Sequence, residues 1–342
     1  MRSEELISYK KMESLCIRVP KKAGEETRRK LTELGIINKD LKIRSNDDVI
    51  LIPVIKNVEG YDTEYADFDL QKKGSSPAET LGYSPAFEQI GDIAIIDRHE
   101  PKALEIAKIL MRQNRIRTVL QAETSISGEY RTREVSILAG ERKTETLYKE
   151  NECRYLIDLA KVYFTPRLST ERTRIAQQIK DSDVVVDMFA GVGPFSILIA
   201  KRHPSSRVIA IDKNPSAIYY LKENVKLNKV KNIEIREGDA REIAKGISGA
   251  DHVIMNLPHS GIEFLDAALG MIKRSGVIHL YAIAHEDDLF EGMLKTIEEI
   301  AGDRGFQVNI IDKRIVRPYA PYQYNICMDI QVSLRHRLIE KS

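Results

Sequence analysis

The alternation of short apolar segments with helix-like segments through residues 151–342 constrains the fold more than any other feature of the sequence. Strand-like segments lie at 184–187, 208–212, 233–237, 253–256 and 277–284, and helix-like segments lie at 194–202, 215–227, 262–272 and 286–300. Because strands joined through helices run parallel, this order predicts a mostly parallel, doubly wound sheet. Two late strands, at 308–314 and 324–334, have no helix between them and predict an antiparallel hairpin at one edge.

Two smaller units are predicted before this sheet. The first has a strand at 14–19, a helix at 25–34 and a buried strand at 49–54; the second has strands at 91–97, 118–120 and 134–139 and a helix at 101–113. The segment KKGSSP at 72–77 is typical of a linker. We therefore expect three domains, at 1–70, 80–150 and 151–342, with α/β or α+β folds in the first two.

Composition excludes several classes of protein. The chain has 342 residues, 42% of them hydrophobic and 30% charged, so a sizeable core is expected and wholesale disorder is not. No apolar run approaches the roughly 20 residues that span a bilayer, and the N-terminus lacks an apolar signal core, which predicts a cytoplasmic protein without a membrane partner. Three scattered cysteines and seven histidines show no metal-ligand spacing, so no metal site is expected.

A glycine-rich turn follows the first strand of the predicted sheet. Asp187 ends the strand, and Gly191 and Gly193 allow a tight turn with close approach to a ligand. A nicotinamide-type turn would carry a third glycine where this chain has Ser196, and no lysine of the phosphate-binding loop type is present. The turn therefore indicates a ligand other than a dinucleotide or a nucleoside triphosphate.

Polar residues also follow the next three strands. Asp212 ends the second strand and is placed to bind a ribose diol, Asp239 follows the third, and Asn256 with Pro258 follows the fourth. In this combination the sequence resembles the class I S-adenosylmethionine-dependent methyltransferases. The resemblance implies S-adenosylmethionine as cofactor and the following cofactor-binding residues: Arg172, Asp187, Phe189, Gly191, Gly193, Asp212, Lys213, Asp239, Ala240, Asn256 and Pro258.

The segment at 161–174, KVYFTPRLSTERTR, interleaves basic and aromatic residues and suits contact with phosphates and stacked bases. Ser169 or Thr170 is expected to cap the helix that follows. Glu171 then falls in the first helical turn, where an acid is common for structural reasons alone. From the residues alone, Glu171 is either a helix-start acid or a functional carboxylate.

Four segments carry a sharper resemblance: YRTREVSILAGERKTET, VYFTPRLSTER, DMFAGVGPF and MNLPH. They are similar to those of the archaeal and eukaryotic tRNA (guanine-37-N1)-methyltransferases, from about Arg131 to near the C-terminus, and the N-terminal unit resembles the small extra domain of archaeal members. The resemblance implies a tRNA-binding domain at 1–70, a middle domain contributing to the RNA site and a catalytic domain at 151–342. It also implies two tRNA contacts, one at the anticodon stem-loop and one distant from it, and we expect a monomer.

The same resemblance implies catalytic roles. Glu171 would be the general base and Arg131 the cation near the guanine carbonyl. Tyr163 and Arg167 would position the guanine and Glu171, and Asn256 would lie beside the reacting groups. Arg133 remains a second candidate for the role of Arg131. Guanine N1 is protonated at neutral pH, so attack on a sulfonium methyl requires a proton acceptor, and a guanidinium stabilises the charge that builds on O6.

Three alternatives stay open. One is a related enzyme of wyosine biosynthesis, which transfers an aminocarboxypropyl group or methylates the tricyclic base. Another is methylation of an exocyclic amine, in which Asn256 and the Pro258 carbonyl would bind the amino group and Glu171 would be dispensable. The last is a non-catalytic tRNA-binding protein, against which the intact set of Asp187, Gly191, Gly193 and Asp212 argues.

Overall fold

A computed structural model of the chain describes residues 11–70, 77–113, 115–272 and 274–335. The chain divides into two compact units, Met1–Ser84 and Pro85–Ser342. Of the predicted linker at 72–77, all residues but Pro77 lie outside the described part of the chain. The three predicted domain boundaries stay a prediction.

The first unit is a small antiparallel sheet with two helices. Its elements are β1 (Lys11–Pro20), α1 (Gly24–Glu33), β2 (Arg44–Ser45), β3 (Val49–Pro53), β4 (Thr63–Asp69) and α2 (Pro77–Leu81). The strand order is β2-β3-β1-β4, and Leu31 of α1 packs on Ile17 and Ile52 of the sheet. The three predicted elements are present. The sequence did not indicate β4 because its seven residues, TEYADFD, bury only Phe68.

The second unit begins with a four-stranded sheet in the order β5-β6-β7-β8. Its elements are β5 (Phe87–Ile90), β6 (Ile93–Ile96), α3 (Ala103–Leu110), β7 (Thr118–Ala122) and β8 (Val135–Gly140). The single strand predicted at 91–97 was wrong in extent, because β5 and β6 form an antiparallel hairpin that turns between Ile90 and Ile93. The helix and the two later strands are confirmed, with the helix shorter at both ends.

A second hairpin, β9 (Glu145–Glu150) and β10 (Cys153–Asp158), was not predicted. Its turn residues Asn151 and Glu152 have φ values of 46° and 63°. Turns with positive φ at both central positions usually carry glycine in the second one. Glutamate in that position removes the sequence signal for the hairpin.

The seven-stranded sheet of the second unit has the order β13-β12-β11-β14-β15-β17-β16. Its elements are α4 (Ser169–Gln178), β11 (Val184–Asp187), α5 (Pro194–Arg202), β12 (Arg207–Asp212), α6 (Pro215–Asn228), β13 (Ile233–Glu237), α7 (Ala240–Ala244), β14 (His252–Met255), α8 (Leu265–Met271), β15 (Ser275–His285), α9 (Glu291–Asp303), β16 (Phe306–Ala320) and β17 (Gln323–Leu334). The first five strands of this order pair in parallel, and β17 pairs antiparallel with both β15 and β16. The predicted doubly wound sheet with an edge hairpin is confirmed.

Helices cover both faces of this sheet. One apolar cluster packs α4, α5 and α6 on one face, and another packs α7, α8 and α9 on the opposite face. The strand order reverses between β11 and β14, so the carboxyl ends of β11, β12, β13 and β14 meet at the switch point where such sheets bind ligands. Among the described residues, no helix is long and apolar enough to cross a membrane.

Candidate active site

A cavity of about 480 Å³ opens at the carboxyl ends of β11 to β14. That volume lies within the range of small-molecule sites. Nine residues singled out from the sequence line it: Arg131, Tyr163, Phe189, Gly191, Asp212, Lys213, Asp239, Ala240 and Asn256. The fold thus brings together residues that are as much as 125 positions apart in the chain.

The two glycines of the turn after β11 serve different purposes. Gly191 has φ of 55° and lines the cavity, and a Cβ placed there would meet nothing closer than the Tyr163 carbonyl oxygen at 3.9 Å. Gly193 has φ of 88° and lies outside the cavity wall, where a Cβ would come within 2.3 Å of Leu221 Cδ1. Gly191 therefore opens backbone to a ligand, and Gly193 allows α5 to pack on α6.

Asp212 connects the glycine turn to the start of α6. Its Oδ2 accepts a hydrogen bond from the Gly191 N–H at 2.6 Å, and its Oδ1 accepts one from the Asn214 N–H at 2.8 Å. Burial raises the pKa of this carboxyl. Each oxygen keeps a second lone pair, and Asp212 lines the cavity, so the carboxylate can accept from a vicinal diol there.

Asp187 supports the turn from inside the protein and does not line the cavity. Its Oδ2 accepts a hydrogen bond from Ser196 Oγ at 2.7 Å, and among the described residues its Oδ1 has no partner. Burial raises the pKa of Asp187 to about 7. Ser196, which stands where a nicotinamide-type turn has its third glycine, thus donates to Asp187 inside the protein.

The rim is closed by an ion pair between two sheets. Asp239 caps α7 by accepting from the Arg241 N–H at 2.9 Å, and Lys213 Nζ lies 3.7 Å from Asp239 Oδ2. The same Nζ lies 2.5 Å from Glu129 Oε1 on the loop between β7 and β8. This exposed pair fastens the loop that carries Arg131 to the end of β12.

An aromatic wall stands on the other side of the cavity. Phe189 and Phe264 meet edge to face with ring centroids 5.0 Å apart, and the Arg241 guanidinium lies 3.9 Å from the Phe264 centroid. Asn256 Oδ1 is buried and has no hydrogen-bond partner among the described residues. An apolar aromatic wall beside an unpaired acceptor suits a flat heterocycle that carries an amino group.

Arg131, and not Arg133, reaches the cavity. Arg131 takes a left-handed backbone conformation with φ of 54°. Arg133 lies 3.9 Å from Glu88, and burial lowers the pKa of its guanidinium.

His259 is a further side chain of the cavity wall near Arg131. Its Nε2 is 3.2 Å from Tyr319 Oη. Burial, together with the positive charge of Arg131, lowers the pKa of the His259 imidazole.

Glu171 lies outside the cavity wall and is 6% exposed. Its Oε2 accepts hydrogen bonds from Arg174 Nε at 2.9 Å and from Tyr281 Oη at 3.1 Å.

The prediction that Ser169 or Thr170 caps α4 was wrong, because a 3-10 turn precedes the helix and α4 has no side-chain cap. Thr165 Oγ1 instead accepts a hydrogen bond from the Arg167 N–H in that turn.

Three more predicted residues are engaged away from the cavity. Arg172 is buried, lies 2.5 Å from Glu150 Oε1 and donates to the Thr165 carbonyl at 2.7 Å. Arg167 is 60% exposed and lies 3.5 Å from Glu88. The Pro258 carbonyl, considered above as an amine acceptor, instead accepts the Ile283 N–H at 3.1 Å because the chain turns back there onto β15.

Sequence reasoning missed several residues of the cavity wall. Glu129, Arg241, Glu263 and Phe264 line it but belong to no recognisable motif. Glu129 lies two residues before Arg131, directly before the segment YRTR at 130–133. This closeness to Arg131 was the sequence signal that could have identified it. Phe264 lies in a 3-10 turn, Gly261–Phe264, which the sequence suggested as the start of a continuous helix. Within the described residues, no cluster of three or more acidic, histidine or cysteine side chains could hold a metal ion.

Comparison with known proteins gives matches along most of the chain. Residues 146–311 match the TRM5/TYW2 methyltransferase domain, residues 16–62 the tRNA methyltransferase 5 N-terminal domain, and residues 71–144 the TYW2 N-terminal domain. The chain is 43% identical over 333 residues to the tRNA (guanine(37)-N(1))-methyltransferase Trm5b of Pyrococcus abyssi, covering 94% of this chain and 99% of that protein.

Two further matches bear on the choice among activities. The chain is 36% identical over 244 residues to the tRNA(Phe) (4-demethylwyosine(37)-C(7)) aminocarboxypropyltransferase of Methanocaldococcus jannaschii, covering 71% of this chain and 96% of that protein. A solved complex of aTrm5 with tRNALeu superposes with a TM-score of 0.68 at 35% identity, covering 93% of this chain and 99% of that one.

Proposed function

Since the chain belongs to the TRM5/TYW2 methyltransferase family, we propose that it transfers a methyl group from S-adenosylmethionine to N1 of guanine 37 in tRNA. The observation that carries the proposal is the extent of the similarity. The relative named for guanine-37 N1 methylation aligns with 94% of the chain, whereas the aminocarboxypropyltransferase aligns with 71%. The longer alignment supports guanine-37 N1 methylation, the activity to which we assign the N-terminal unit.

The cavity fits S-adenosylmethionine. Asp212 would bind the ribose diol, while Phe189 and Phe264 with the unpaired Asn256 Oδ1 would hold the adenine or the target base. Gly191 leaves room for the backbone to approach the cofactor. When bound, the cofactor supplies a methyl group on a sulfonium, which needs no metal to become a good leaving group.

Arg131 and Glu171 would supply the proton chemistry. Arg131 faces the cavity, where its guanidinium would stabilise negative charge on O6 of the guanine. Glu171 has one carboxylate oxygen held by Arg174 and Tyr281, and its other oxygen would accept the N1 proton. Tyr163 in the cavity wall and Arg167, beside Glu88, would position the guanine and Glu171.

The remaining units would bind the tRNA. The solved aTrm5–tRNALeu complex covers 93% of this chain, which supports tRNA as the partner of the whole protein. We assign the anticodon stem-loop to the parts around the cavity and a second, distant contact to the N-terminal unit. We further propose that the protein acts in the cytoplasm as a monomer, with domains near 1–70, 80–150 and 151–342.

Mass spectrometry of nucleosides tests the proposal. Unmodified tRNA with guanine at position 37 and, in a parallel reaction, tRNA that carries the tricyclic wyosine precursor at that position are incubated with the full chain. S-adenosylmethionine is labelled either in the methyl group or in the aminocarboxypropyl group. We expect methyl label in 1-methylguanosine and none when position 37 is adenine. Label in an exocyclic methylamine, or transfer of the aminocarboxypropyl label to a tricyclic base, would refute the assignment, and absence of label would favour a binding protein.

Glu171→Gln tests the base in the same assay. The substitution keeps the size of the side chain but removes its proton affinity, so we expect a loss of roughly 10²–10⁴-fold in single-turnover rate. Cofactor affinity should not change, because Glu171 is absent from the cavity wall. Glu298→Gln makes the same chemical change on the exposed surface of α9 and should leave the rate unaltered.

A further inference from the structure

A buried cluster of charged side chains connects Glu171 to the interior of the seven-stranded sheet. Arg174 lies one helical turn after Glu171 on α4 and donates from Nε to Glu171 Oε2 over 2.9 Å. The same guanidinium donates from Nη1 and Nη2 to the two carboxylate oxygens of Asp329 on β17. Arg174 therefore lies between two carboxylates, and the side chain of Asp329 is only 1% exposed.

The groups that face Glu171 come from four elements, since Cys327 of β17, whose Sγ accepts from Arg174 Nη2 at 3.1 Å, also interacts electrostatically with Glu171. Arg174 of α4 and Tyr281 of β15 both donate to Oε2, and the Arg314 guanidinium of β16 lies 4.0 Å from Oε1. Among the described residues, no hydrogen-bond donor reaches Oε1. The carboxylate is thus held by one oxygen, and the other is left to accept a proton.

Asp329 is itself held from several sides. His279 Nδ1 lies 2.8 Å from Asp329 Oδ1, and Gln178 Nε2 donates to Oδ2 at 2.7 Å. His279 Nε2 in turn lies 3.0 Å from His252 Nδ1, with the two rings stacked. Burial would raise the pKa of Asp329, but the bonds from His279, Arg174 and Gln178 outweigh it and hold that pKa below its ordinary value.

We propose that Asp329 is a positioning residue for the methyl transfer proposed above. By holding Arg174 through two bonds and sharing its charge, Asp329 fixes Glu171 in place and keeps Glu171 from becoming the sole counter-ion of that guanidinium. A carboxylate that neutralises a buried cation alone is a weaker proton acceptor, because protonation would leave the cation unpaired. The inference rests on the assignment of Glu171 as the base.

Arg174 couples the charges of Glu171 and Asp329 electrostatically but does not transfer protons between them. Burial acts to lower the pKa of Arg174, but its hydrogen bonds to Asp329 and Glu171 outweigh burial and raise that pKa above its ordinary value. Arginine therefore stays protonated throughout and blocks proton transfer between Glu171 and Asp329. Likewise, burial lowers the pKa of His252 to about 3, so this ring is neutral at pH 7.

Asp329→Asn tests the inference in single-turnover methyl transfer, measured from pH 5 to 9 alongside Glu171→Gln and the double variant. We expect Asp329→Asn to lower the plateau rate by roughly 10-fold and to move the acidic midpoint of the profile down by about one pH unit. In the Glu171→Gln background, Asp329→Asn should lower the rate no further, because it acts through Glu171. Asp266→Asn, which removes an exposed carboxylate paired with Arg304, serves as the matched control and should leave the profile unchanged.

The outcomes separate the two proposals. A wild-type chain that forms no 1-methylguanosine overturns the proposed function, and a fully active Glu171→Gln variant overturns the assigned base together with the role of Asp329. If Glu171→Gln is impaired but Asp329→Asn keeps the wild-type pH profile, Asp329 has no positioning role. The same conclusion follows if the fold-losses in rate of the two single variants multiply in the double variant. If Asp329→Asn fails to bind S-adenosylmethionine, Gln178→Met decides: it leaves Asp329 charged with one donor fewer, so Asp329 should neutralise more of the Arg174 charge and the midpoint should move up by a smaller amount. An unmoved midpoint in that variant contradicts the proposal.

Discussion

Gly191 and Gly193 lie two residues apart in the turn after β11, but their replacement by alanine should affect different properties. Gly191→Ala should mainly weaken cofactor binding, and Gly193→Ala should mainly lower stability. At Gly193, alanine must adopt φ of 88° and place its Cβ within 2.3 Å of Leu221 Cδ1. A left-handed alanine costs about 1–2 kcal/mol and overpacking of a core about 1–3 kcal/mol, which together give roughly 2–5 kcal/mol of lost stability. At Gly191 only the conformational cost applies, because the nearest atom to the new Cβ is 3.9 Å away.

The two variants also differ in the function that they should lose. The methyl group at position 191 points into the cavity, so Gly191→Ala should weaken S-adenosylmethionine binding while lowering the melting temperature by only a few degrees. Gly193→Ala should lower the melting temperature by roughly 5–15 °C, since a domain of this size loses about 2–4 °C for each kcal/mol. Calorimetry of cofactor binding, well below the melting point, should find near-normal affinity in Gly193→Ala.

The measurements can refute this reasoning directly. Equal losses of stability in the two variants would show that the contact with Leu221 does not limit packing at Gly193. Normal cofactor affinity in Gly191→Ala would place the cofactor away from the glycine turn. Differential scanning fluorimetry and isothermal titration calorimetry on the two purified variants and the wild-type chain suffice for both readouts.

Three further predictions concern single groups or the N-terminal unit. Asp212→Asn should weaken S-adenosylmethionine binding by roughly 10-fold and leave tRNA affinity unchanged, because a ribose-binding carboxylate does not face the nucleic acid; unchanged calorimetric affinity would place the ribose elsewhere. Asp187 has its folded pKa raised to about 7, so the fold disfavours its charged form and loses stability as pH rises from about 4 to 7. The melting temperature of Asp187→Asn relative to the wild type should therefore be higher at pH 8 than at pH 5, and a difference independent of pH would contradict the assigned ionisation. A chain that begins near Ser76 should still bind cofactor and methylate but bind tRNA more weakly, with a difference that shrinks at high salt; loss of cofactor binding would make the N-terminal unit structural.

Elements with strong periodicity were predictable from the sequence. The strand at Val184–Asp187 and the helix at Pro194–Arg202 were predicted to the residue, because an apolar run, a glycine turn and a proline start define both ends. The family resemblance, carried by the segments around Arg131, Glu171 and Asn256, is confirmed by the matches to known proteins. Where strands are amphipathic and half exposed, as in Thr63–Asp69, the pattern is too weak to identify them.

The candidate site was predictable only where a motif marks it. Asp212, Asp239 and Asn256 were placed together because parallel strands bring their carboxyl ends to one edge. The buried groups around Glu171 were not predictable: Asp329, which pairs with Arg174, lies 158 residues beyond Glu171 on an antiparallel strand whose register the sequence does not give. Only the family resemblance favoured Arg131 over Arg133; the turn geometry places the former in the cavity and leaves the latter near Glu88.

The backbone of Arg131 has a consequence for anyone who tries to make this protein more robust. An arginine at φ of 54° is strained relative to glycine, and asparagine also tolerates this conformation better than arginine does. Selection for thermal tolerance alone would therefore favour the substitutions Arg131→Gly and Arg131→Asn. Either one would remove the guanidinium that reaches the cavity, since Arg133 does not line it. Directed evolution of the enzyme toward heat resistance needs an activity screen at every round, because at this position stability favours amino acids that lack the guanidinium we propose for catalysis.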